Sequence, residues 1–156
     1  MDLSVSQLNR LGERLRKGAA QPDDVRALDV YRRSFDPALA IVLGELREIG
    51  LEPSSRIKTT QSIVEKLERS SSRLSKMQDI AGCRVVVATI REQDRILLEA
   101  RERIGQLLVV DRRENPSHGY RALHAILQIE KRAVEVQVRT EAQHLWALLS
   151  DRAADR

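Results

Sequence analysis

One segment of the sequence, Val134-Glu135-Val136-Gln137-Val138-Arg139, alternates strictly between valine and a longer polar residue. Side chains of a β-strand point to opposite faces in turn, so the pattern predicts a strand that buries its valines. Glu135, Gln137 and Arg139 then share the other face. An acid, an amide and a base in a row could form a solvated sheet surface, or they could line a polar site.

Two further segments predict strands of the same sheet. Residues 84–89 form a run rich in β-branched side chains, which is typical of a strand buried on both faces. Residues 120–130 lead into the valine strand through a tight turn at Lys131-Arg132. If these last two segments form a hairpin, Tyr120 and His124 lie on the polar face.

Helical spacing dominates much of the remaining chain. Residues 1–50 place leucines three and four apart between capping and breaking residues, which predicts a helical scaffold segment. Further helices are predicted at about 59–69, 90–104 and 141–151, with a strand or connector at 54–58 and a short strand at 107–110. The sequence therefore predicts an α+β fold, a mixed β-sheet with flanking helices and an N-terminal helical segment.

Length and composition restrict the class of protein. The 156 residues suit one domain of ~100–150 residues, and a hydrophobic content of 42% favours a folded chain. No apolar run approaches the ~20 residues that cross a bilayer, and the first residues lack a secretion signal. The one cysteine, Cys83, cannot form an intrachain disulfide. We expect a cytoplasmic protein without a membrane segment.

The charge balance suggests an anionic partner. A net charge of +4 favours weak attraction to nucleotides or nucleic acid. Four aromatic residues are too few to stack a long single strand of bases, so a compact nucleotide pocket fits better. The glycine-rich motifs of phosphate loops and dinucleotide-binding folds do not occur in the sequence.

Two acidic residues are candidate metal ligands. Asp79 stands between apolar residues just before the strand predicted at 84–89, where it could cap a turn or bind a cation. Together with Glu135 it offers the hard oxygen ligands that Mg²⁺ selects. Mg²⁺ commonly combines one or two carboxylates with substrate phosphates. The pair predicts a Mg²⁺ site.

A row of donors precedes these acids. Lys58, Ser62 and Lys66 are spaced four apart, which would place them on one face of a helix, and Arg56 lies just upstream. Such a row suits a polyphosphate. A basic helix face is also commonly just solvated, and cations are plentiful in this part of the chain.

Four motifs occur together in the chain. They are Arg56-x-Lys58-x3-Ser62-x3-Lys66, Met77-Gln78-Asp79-Ile80-Ala81-Gly82-Cys83-Arg84, His118-Gly119-Tyr120-Arg121-Ala122-Leu123-His124 and Val134-Glu135-Val136-Gln137-Val138-Arg139-Thr140. In this order they resemble the synthetase domain of the RelA/SpoT alarmone family over about residues 56–151. Residues 1–50 match only as leading helices.

The resemblance implies a nucleotidyltransferase-like fold and a GTP/GDP diphosphokinase. Such an enzyme transfers the β,γ-pyrophosphate of ATP to the 3′-hydroxyl of GDP or GTP and makes (p)ppGpp, with Mg²⁺ as cofactor. On this basis residues 1–156 form a single synthetase domain, in which residues 1–50 are a helical lead-in and residues 51–156 the catalytic core.

The resemblance also implies a role for each matching residue. Asp79 corresponds to the Mg²⁺-binding aspartate, and Glu135 to the glutamate that assists the metal or activates the acceptor hydroxyl. The ATP-side positions are Arg56, Lys58, Ser62, Lys66 and Arg84. The acceptor-side positions are His118, Tyr120, His124, Gln137 and Arg139, with the tyrosine stacking on guanine.

The segment from Val110 to His118 departs from the family pattern on the acceptor side. The acceptor therefore stays open among GDP, GTP, GMP, an adenine nucleotide and the 3′ end of tRNA, and a non-catalytic nucleotide- or RNA-binding module is a further alternative. With three histidines, the histidine-rich hydrolase domain of larger members is not expected. Small relatives usually continue beyond the closing helix, where elements that form oligomers would lie. Whether this chain forms a homo-oligomer is therefore left open.

Overall fold

The computed structural model describes residues 3–104, 107–114, 116 and 119–154. Within these ranges the chain forms six α-helices, five β-strands and one 3-10 turn at Leu74–Lys76. The helices are α1 (Val5–Arg16), α2 (Pro22–Arg33), α3 (Asp36–Glu48), α4 (Thr60–Arg69), α5 (Ile90–Ile104) and α6 (Glu141–Ala154). The strands are β1 (Ser54–Ile57), β2 (Ala81–Val87), β3 (Leu107–Asp111), β4 (Leu123–Ile129) and β5 (Arg132–Thr140).

Helix starts follow the capping signals of the sequence. Ser4 caps α1, since its hydroxyl accepts the backbone N–H of Gln7 at 3.2 Å while the Gln7 side chain accepts the Ser4 N–H at 2.8 Å. Thr59 caps α4 by accepting the N–H of Ser62 at 3.1 Å. These bonds satisfy backbone donors that a helix leaves unpaired, so the starts of both helices are set locally.

The strands form one mixed sheet in the order β1-β2-β5-β4-β3. β2 and β5 pair in parallel, and the other pairs are antiparallel. In the parallel register Gly82 lies beside Glu135 and Arg84 beside Gln137. The predicted α+β class with a mixed sheet is confirmed.

One face of the sheet packs against α3 and α5. The alternate residues of β2 that include Cys83 and Val85 point to this face, as do the valines of β5. They belong to one hydrophobic cluster with the leucines of α1 and α3, so the N-terminal helices share the core of the sheet. No helix in the described part of the chain is long and apolar enough to cross a membrane.

The prediction for β2 was wrong in two respects. The strand begins at Ala81 rather than Arg84, and it is buried on one face only, because Val86 is 42% exposed. Three consecutive valines carry no polar alternation, so the sequence could not show which of them faces the core. As a result Arg84 lies on the open face of the sheet.

The hairpin also differs slightly from its prediction. β4 begins at Leu123, three residues after the predicted start at Tyr120. The turn lies at Glu130 and Lys131, one residue before the predicted position, and Glu130 adopts a φ of 53° there. Two-residue hairpin turns favour a residue in the left-handed region, and this preference was not visible in a charged stretch.

Candidate active site

The open face of the sheet brings together side chains from neighbouring strands. β5 presents Glu135 and Gln137, β4 presents His124 and β2 presents Arg84. Gly82 lies directly beside Glu135, and a Cβ atom at Gly82 would stand 3.0 Å from the Glu135 carbonyl oxygen. The glycine therefore permits the close approach of the two strands under the site.

Two clefts meet at the carboxylates of Asp79 and Glu135. The first has a volume of about 120 Å³ and is lined by Ser54, Ser55, Arg56, Asp79, Gly82, Cys83, Arg84, Glu135 and Gln137. The second has a volume of about 230 Å³ and is lined by Lys66, Ser72, Lys76, Met77, Gln78, Asp79, Ile126 and Glu135. Both acids thus border both clefts.

Asp79 is bound by two lysines. Its Oδ2 atom accepts hydrogen bonds from Lys66 Nζ at 2.7 Å and from Lys58 Nζ at 3.2 Å. Burial alone would raise the pKa of Asp79, but the hydrogen bond from Lys66 and the charges of both lysines outweigh it and lower the pKa. The carboxylate is therefore ionised at neutral pH.

The predicted helical row of donors is wrong in part. α4 begins at Thr60, so Lys58 precedes the helix and does not lie on its face. The backbone N–H of Lys58 instead donates to the carbonyl of Ile80 at 2.7 Å, which brings Lys58 to Asp79 from the sheet side. Ser62 lies in the first turn of α4, where its hydroxyl accepts a hydrogen bond from the Thr59 hydroxyl at 2.9 Å.

Four of the five predicted acceptor-side residues join Glu135 in a closed ring of hydrogen bonds. Glu135 Oε1 lies 2.7 Å from His124 Nδ1, and His124 Nε2 lies 3.1 Å from the Tyr120 hydroxyl. Arg139 Nη2 donates to that hydroxyl at 2.8 Å and to Gln137 Oε1 at 3.0 Å. Gln137 Nε2 closes the ring by donating to Glu135 Oε2 at 2.9 Å.

The hydrogen-bond ring orients both the Tyr120 ring and the Glu135 carboxylate. The Arg139 guanidinium lies over the Tyr120 ring, 4.9 Å from its centroid, so one face of the tyrosine is covered. Burial acts to raise the pKa of Glu135, but hydrogen bonds from His124 and Gln137 lower it below the usual value. The fifth predicted acceptor-side residue, His118, lies outside the described residues.

The donor set suits Mg²⁺ held jointly with phosphate. Asp79 Oδ1 is buried and has no hydrogen-bond partner among the described residues. No group of three or more His, Cys, Asp or Glu residues in the described ranges could hold a metal ion by itself. Two carboxylates completed by substrate oxygens are a common arrangement for Mg²⁺, which seldom occupies an all-protein cage.

Some residues at the site were not selected by sequence reasoning. Lys76 and Gln78 line the second cleft, and their closeness to Asp79 in the sequence was the available signal. In α6, the buried Nδ1 atom of His144 has no hydrogen-bond partner among the described residues. Burial and the charges of Arg84 and Arg139 lower the pKa of His144.

Cys83 is a small residue of the hydrophobic core. Its side chain is buried in the sheet core. Burial, together with the charge of Glu135, raises the pKa of its thiol to about 12. Since the thiolate is the reactive form, this environment disfavours a nucleophilic role for Cys83.

Fold and site together define an α+β protein with a two-carboxylate cleft lined by cations. Comparison with known families gives the particular class: the family model described as the region found in RelA / SpoT proteins matches residues 55–153. The chain therefore belongs to the RelA/SpoT family.

Individual relatives agree with this assignment. Uncharacterized protein Rv1366 of Mycobacterium tuberculosis is 37% identical over 106 residues, which cover 65% of this chain and 39% of that protein. This chain thus spans well under half of that relative's length. GTP pyrophosphokinase YwaC of Bacillus subtilis is 29% identical, covering 96% of this chain and 80% of that protein.

Small alarmone synthetase 1 of Bacillus subtilis has the same fold. Its structure with the product pppGpp superposes with a TM-score of 0.67 at 24% identity, covering 84% of this chain and 80% of that one. Its structure with AMPCPP gives a TM-score of 0.56 at 26% identity, covering 82% and 76%. The mixed sheet with flanking helices is therefore the fold of these synthetases.

Proposed function

We propose that this chain is a Mg²⁺-dependent GTP/GDP diphosphokinase that makes (p)ppGpp. The observation that carries the proposal is that Asp79 and Glu135 border two clefts that are also lined by cationic side chains, so that a polyphosphate and a metal ion can meet at the same pair of carboxylates. The names of YwaC, a GTP pyrophosphokinase, and of a synthetase solved with the ATP analogue AMPCPP support it.

On the donor side, the chain supplies cations for the phosphates of ATP. Arg56 and Arg84 line the first cleft together with both carboxylates. Arginine binds phosphate oxygens through two parallel hydrogen bonds, which fixes orientation as well as charge. Lys58 and Lys66 add two point charges beside Asp79. We assign these four residues and Ser62 to ATP binding.

On the acceptor side, Tyr120 stacks on the guanine base. Arg139 covers one face of the tyrosine ring, and we assign the base to the opposite face. His124 and Gln137 hold one oxygen each of Glu135, so the carboxylate cannot rotate away from the acceptor hydroxyl. His118 is assigned to the same side by its place in the sequence motif.

In the reaction, the 3′-oxygen of the acceptor forms a bond to the β-phosphorus of ATP. The bond from that phosphorus to the oxygen bridging the α- and β-phosphates breaks, AMP leaves, and Glu135 accepts the hydroxyl proton. Asp79 and Glu135 would hold Mg²⁺, which when bound neutralises charge on the transferred phosphates. The remaining contribution of the protein is alignment, because the reacting atoms must be held in line.

The test is to incubate the protein with ATP, Mg²⁺ and GDP or GTP and to resolve the products. We expect AMP together with guanosine tetra- or pentaphosphate. Asp79→Asn and Glu135→Gln should each lower the rate about 100-fold or more. Asp23→Asn is the matched control, because the Asp23 side chain is 89% exposed and pairs with Arg26, three residues on.

Other results of this assay would indicate a different acceptor or a non-catalytic function. Transfer to deacylated tRNA or to adenine nucleotides, with none to GDP, GTP or GMP, would replace the alarmone activity by one of those acceptors. Binding of AMPCPP without AMP formation from ATP with any acceptor would indicate a non-catalytic module. If that module bound RNA through phosphates, its affinity would fall steeply with salt.

A further inference from the structure

Arg32, in the last turn of α2, reaches from the N-terminal helices to the corner between β1 and α4. Its Nε donates to the carbonyl oxygen of Lys58 at 2.7 Å. Its Nη1 donates to Thr60 Oγ1 at 3.2 Å and to Asp29 Oδ1 at 2.8 Å. The Arg32 side chain is 18% exposed. It precedes the region that the family model matches, which begins at residue 55.

The corner that Arg32 contacts carries both lysines of the site. Lys58 lies within it, and its backbone N–H is bonded to Ile80, the residue after Asp79. Thr60 is the first residue of α4, the helix that bears Lys66. Because both lysines that bind Asp79 leave the backbone at or after this corner, its position decides where their ammonium groups lie.

We propose that Arg32 is a positioning residue for the ATP side of the site, acting through the Lys58 carbonyl and the Thr60 hydroxyl. This inference rests on the function proposed above. The backbone of Lys58 is then bonded on both sides, by Ile80 at its N–H and by Arg32 at its carbonyl, so its side chain reaches Asp79 from a fixed backbone. Alignment of phosphates is sensitive to such placement, since a shift of about 1 Å can cost about 100-fold in rate.

Only arginine meets this geometry. Its planar group binds three acceptors at once, two in the corner and one on α2, whereas the single ammonium of lysine has no fixed fork. Asp29 holds the other side of the guanidinium and is itself bound by Arg33, whose Nε lies 3.0 Å from Asp29 Oδ2. Arg33 is 76% exposed and contacts the same aspartate without reaching the site, so it provides a matched control.

The experiment compares Arg32→Gln, Arg32→Lys and Arg33→Gln with the wild type by two measurements. Calorimetry gives the affinity for AMPCPP with Mg²⁺. Mass spectrometry gives the rate at which an amine reagent labels Lys58, with the exposed Lys17 as internal reference. We expect Arg32→Gln to weaken AMPCPP binding about tenfold and to raise the relative labelling of Lys58, since loss of an orienting partner typically has an effect of this size.

The two other variants complete the test. Arg33→Gln should leave both measurements at wild-type values, and Arg32→Lys should recover only part of the affinity. If Arg32→Gln does not fold, the lysine variant carries the comparison. Wild-type affinity and wild-type labelling in the Arg32 variants, or an equal change in Arg33→Gln, would overturn the positioning role.

Failure of the proposed function would look different. A wild type that binds AMPCPP but forms no AMP from ATP with any acceptor would reject the diphosphokinase, while the difference between the Arg32 and Arg33 variants would still support the positioning role. A wild type that does not bind AMPCPP would overturn both proposals.

Discussion

Asp79 shows how opposed effects set the charge of a single side chain. Its burial disfavours the ionised form, whereas Lys66 and Lys58 favour it and prevail, so its pKa in the folded protein lies below the ordinary value of 3.8. The unfolded chain lacks these partners. Ionisation of Asp79 therefore stabilises the folded state above the unfolded pKa, and this contribution is lost as the pH falls through the folded pKa.

This balance predicts a pH dependence of stability. Between about pH 5 and pH 3, the free energy of unfolding of the wild type should fall more steeply than that of Asp79→Asn, in which this titration is absent. Urea titrations of both proteins at several pH values measure the difference. Parallel pH profiles would show that the two lysines do not lower the pKa of Asp79.

Gly82 lies so close to Glu135 on the neighbouring strand that a side chain there would collide with it. A Cβ atom there would lie 3.0 Å from the carbonyl oxygen and 3.7 Å from the Cβ of Glu135. We expect Gly82→Ala to lower stability by about 1–3 kcal/mol, as overpacking does, and to reduce the transfer rate by displacing Glu135. Urea unfolding and the product assay measure the two effects, and an unchanged rate would contradict the second.

Gly44 provides the matched substitution. It lies inside α3, and a Cβ atom there meets no heavy atom within 4 Å. Gly44→Ala should therefore raise stability by about 0.5–1 kcal/mol through helix propensity and leave the transfer rate unchanged. Comparison of the two variants then separates the general effect of replacing a glycine on stability from the specific effect on the transfer rate.

At the scale of elements, α4 connects a local sequence signal to the site. Its first turn is closed by Thr59, and its length carries Lys66 to Asp79. Capping depends on residues a few positions apart, so the start of this helix was readable from the sequence. Its docking beside Asp79 was suggested only by the resemblance to a known family.

Removal of the Thr59 cap should weaken nucleotide binding at the site. Thr59→Ala is expected to cost about 1 kcal/mol of stability and to weaken AMPCPP binding, because the first turn holds Ser62 and the corner at Lys58. Ser4→Ala removes an equivalent cap from α1 and should cost a similar amount without changing AMPCPP affinity. Equal affinities in the two variants, measured by calorimetry, would contradict the link between cap and site.

The strands show where a local pattern is sufficient. In β5, valine alternates with polar residues, and the structure places the two sets on opposite faces as predicted. In β2 the run of valines carries no such contrast, and its burial on both faces was wrongly predicted. A strand's faces are thus readable when its two sets of side chains differ in polarity, and otherwise depend on what packs against the sheet.

At the scale of the whole molecule, Arg132 at the start of β5 joins the N-terminal helices to the sheet. Its Nε donates to Ser34 Oγ at 2.9 Å. Its guanidinium lies 5.5 Å and 5.2 Å from the ring centroids of Tyr31 and Phe35. This contact joins the hairpin end of the sheet to the junction of α2 and α3, the same segment from which Arg32 extends.

Loss of this contact should lower global stability. We expect Arg132→Gln to cost about 1–2 kcal/mol, since it removes both a hydrogen bond from a charged group and a partly buried cation–π contact. Arg26→Gln removes an exposed ion pair with Asp23 and should change stability by less than about 0.5 kcal/mol. Urea unfolding measures both, and equal effects would contradict the role of Arg132.

The sequence by itself determined the capped start of α4, the polar face of β5 and the motifs that place the chain in its family, because capping, alternation and motif chemistry depend on residues close together in the chain. Only the tertiary structure decided that β2 lies beside β5, that Lys58 and Lys66 meet on one oxygen of Asp79, and that the hydrogen-bond ring closes around Glu135. These contacts join segments far apart in the chain. Their geometry follows from packing of the whole core, which no local pattern encodes.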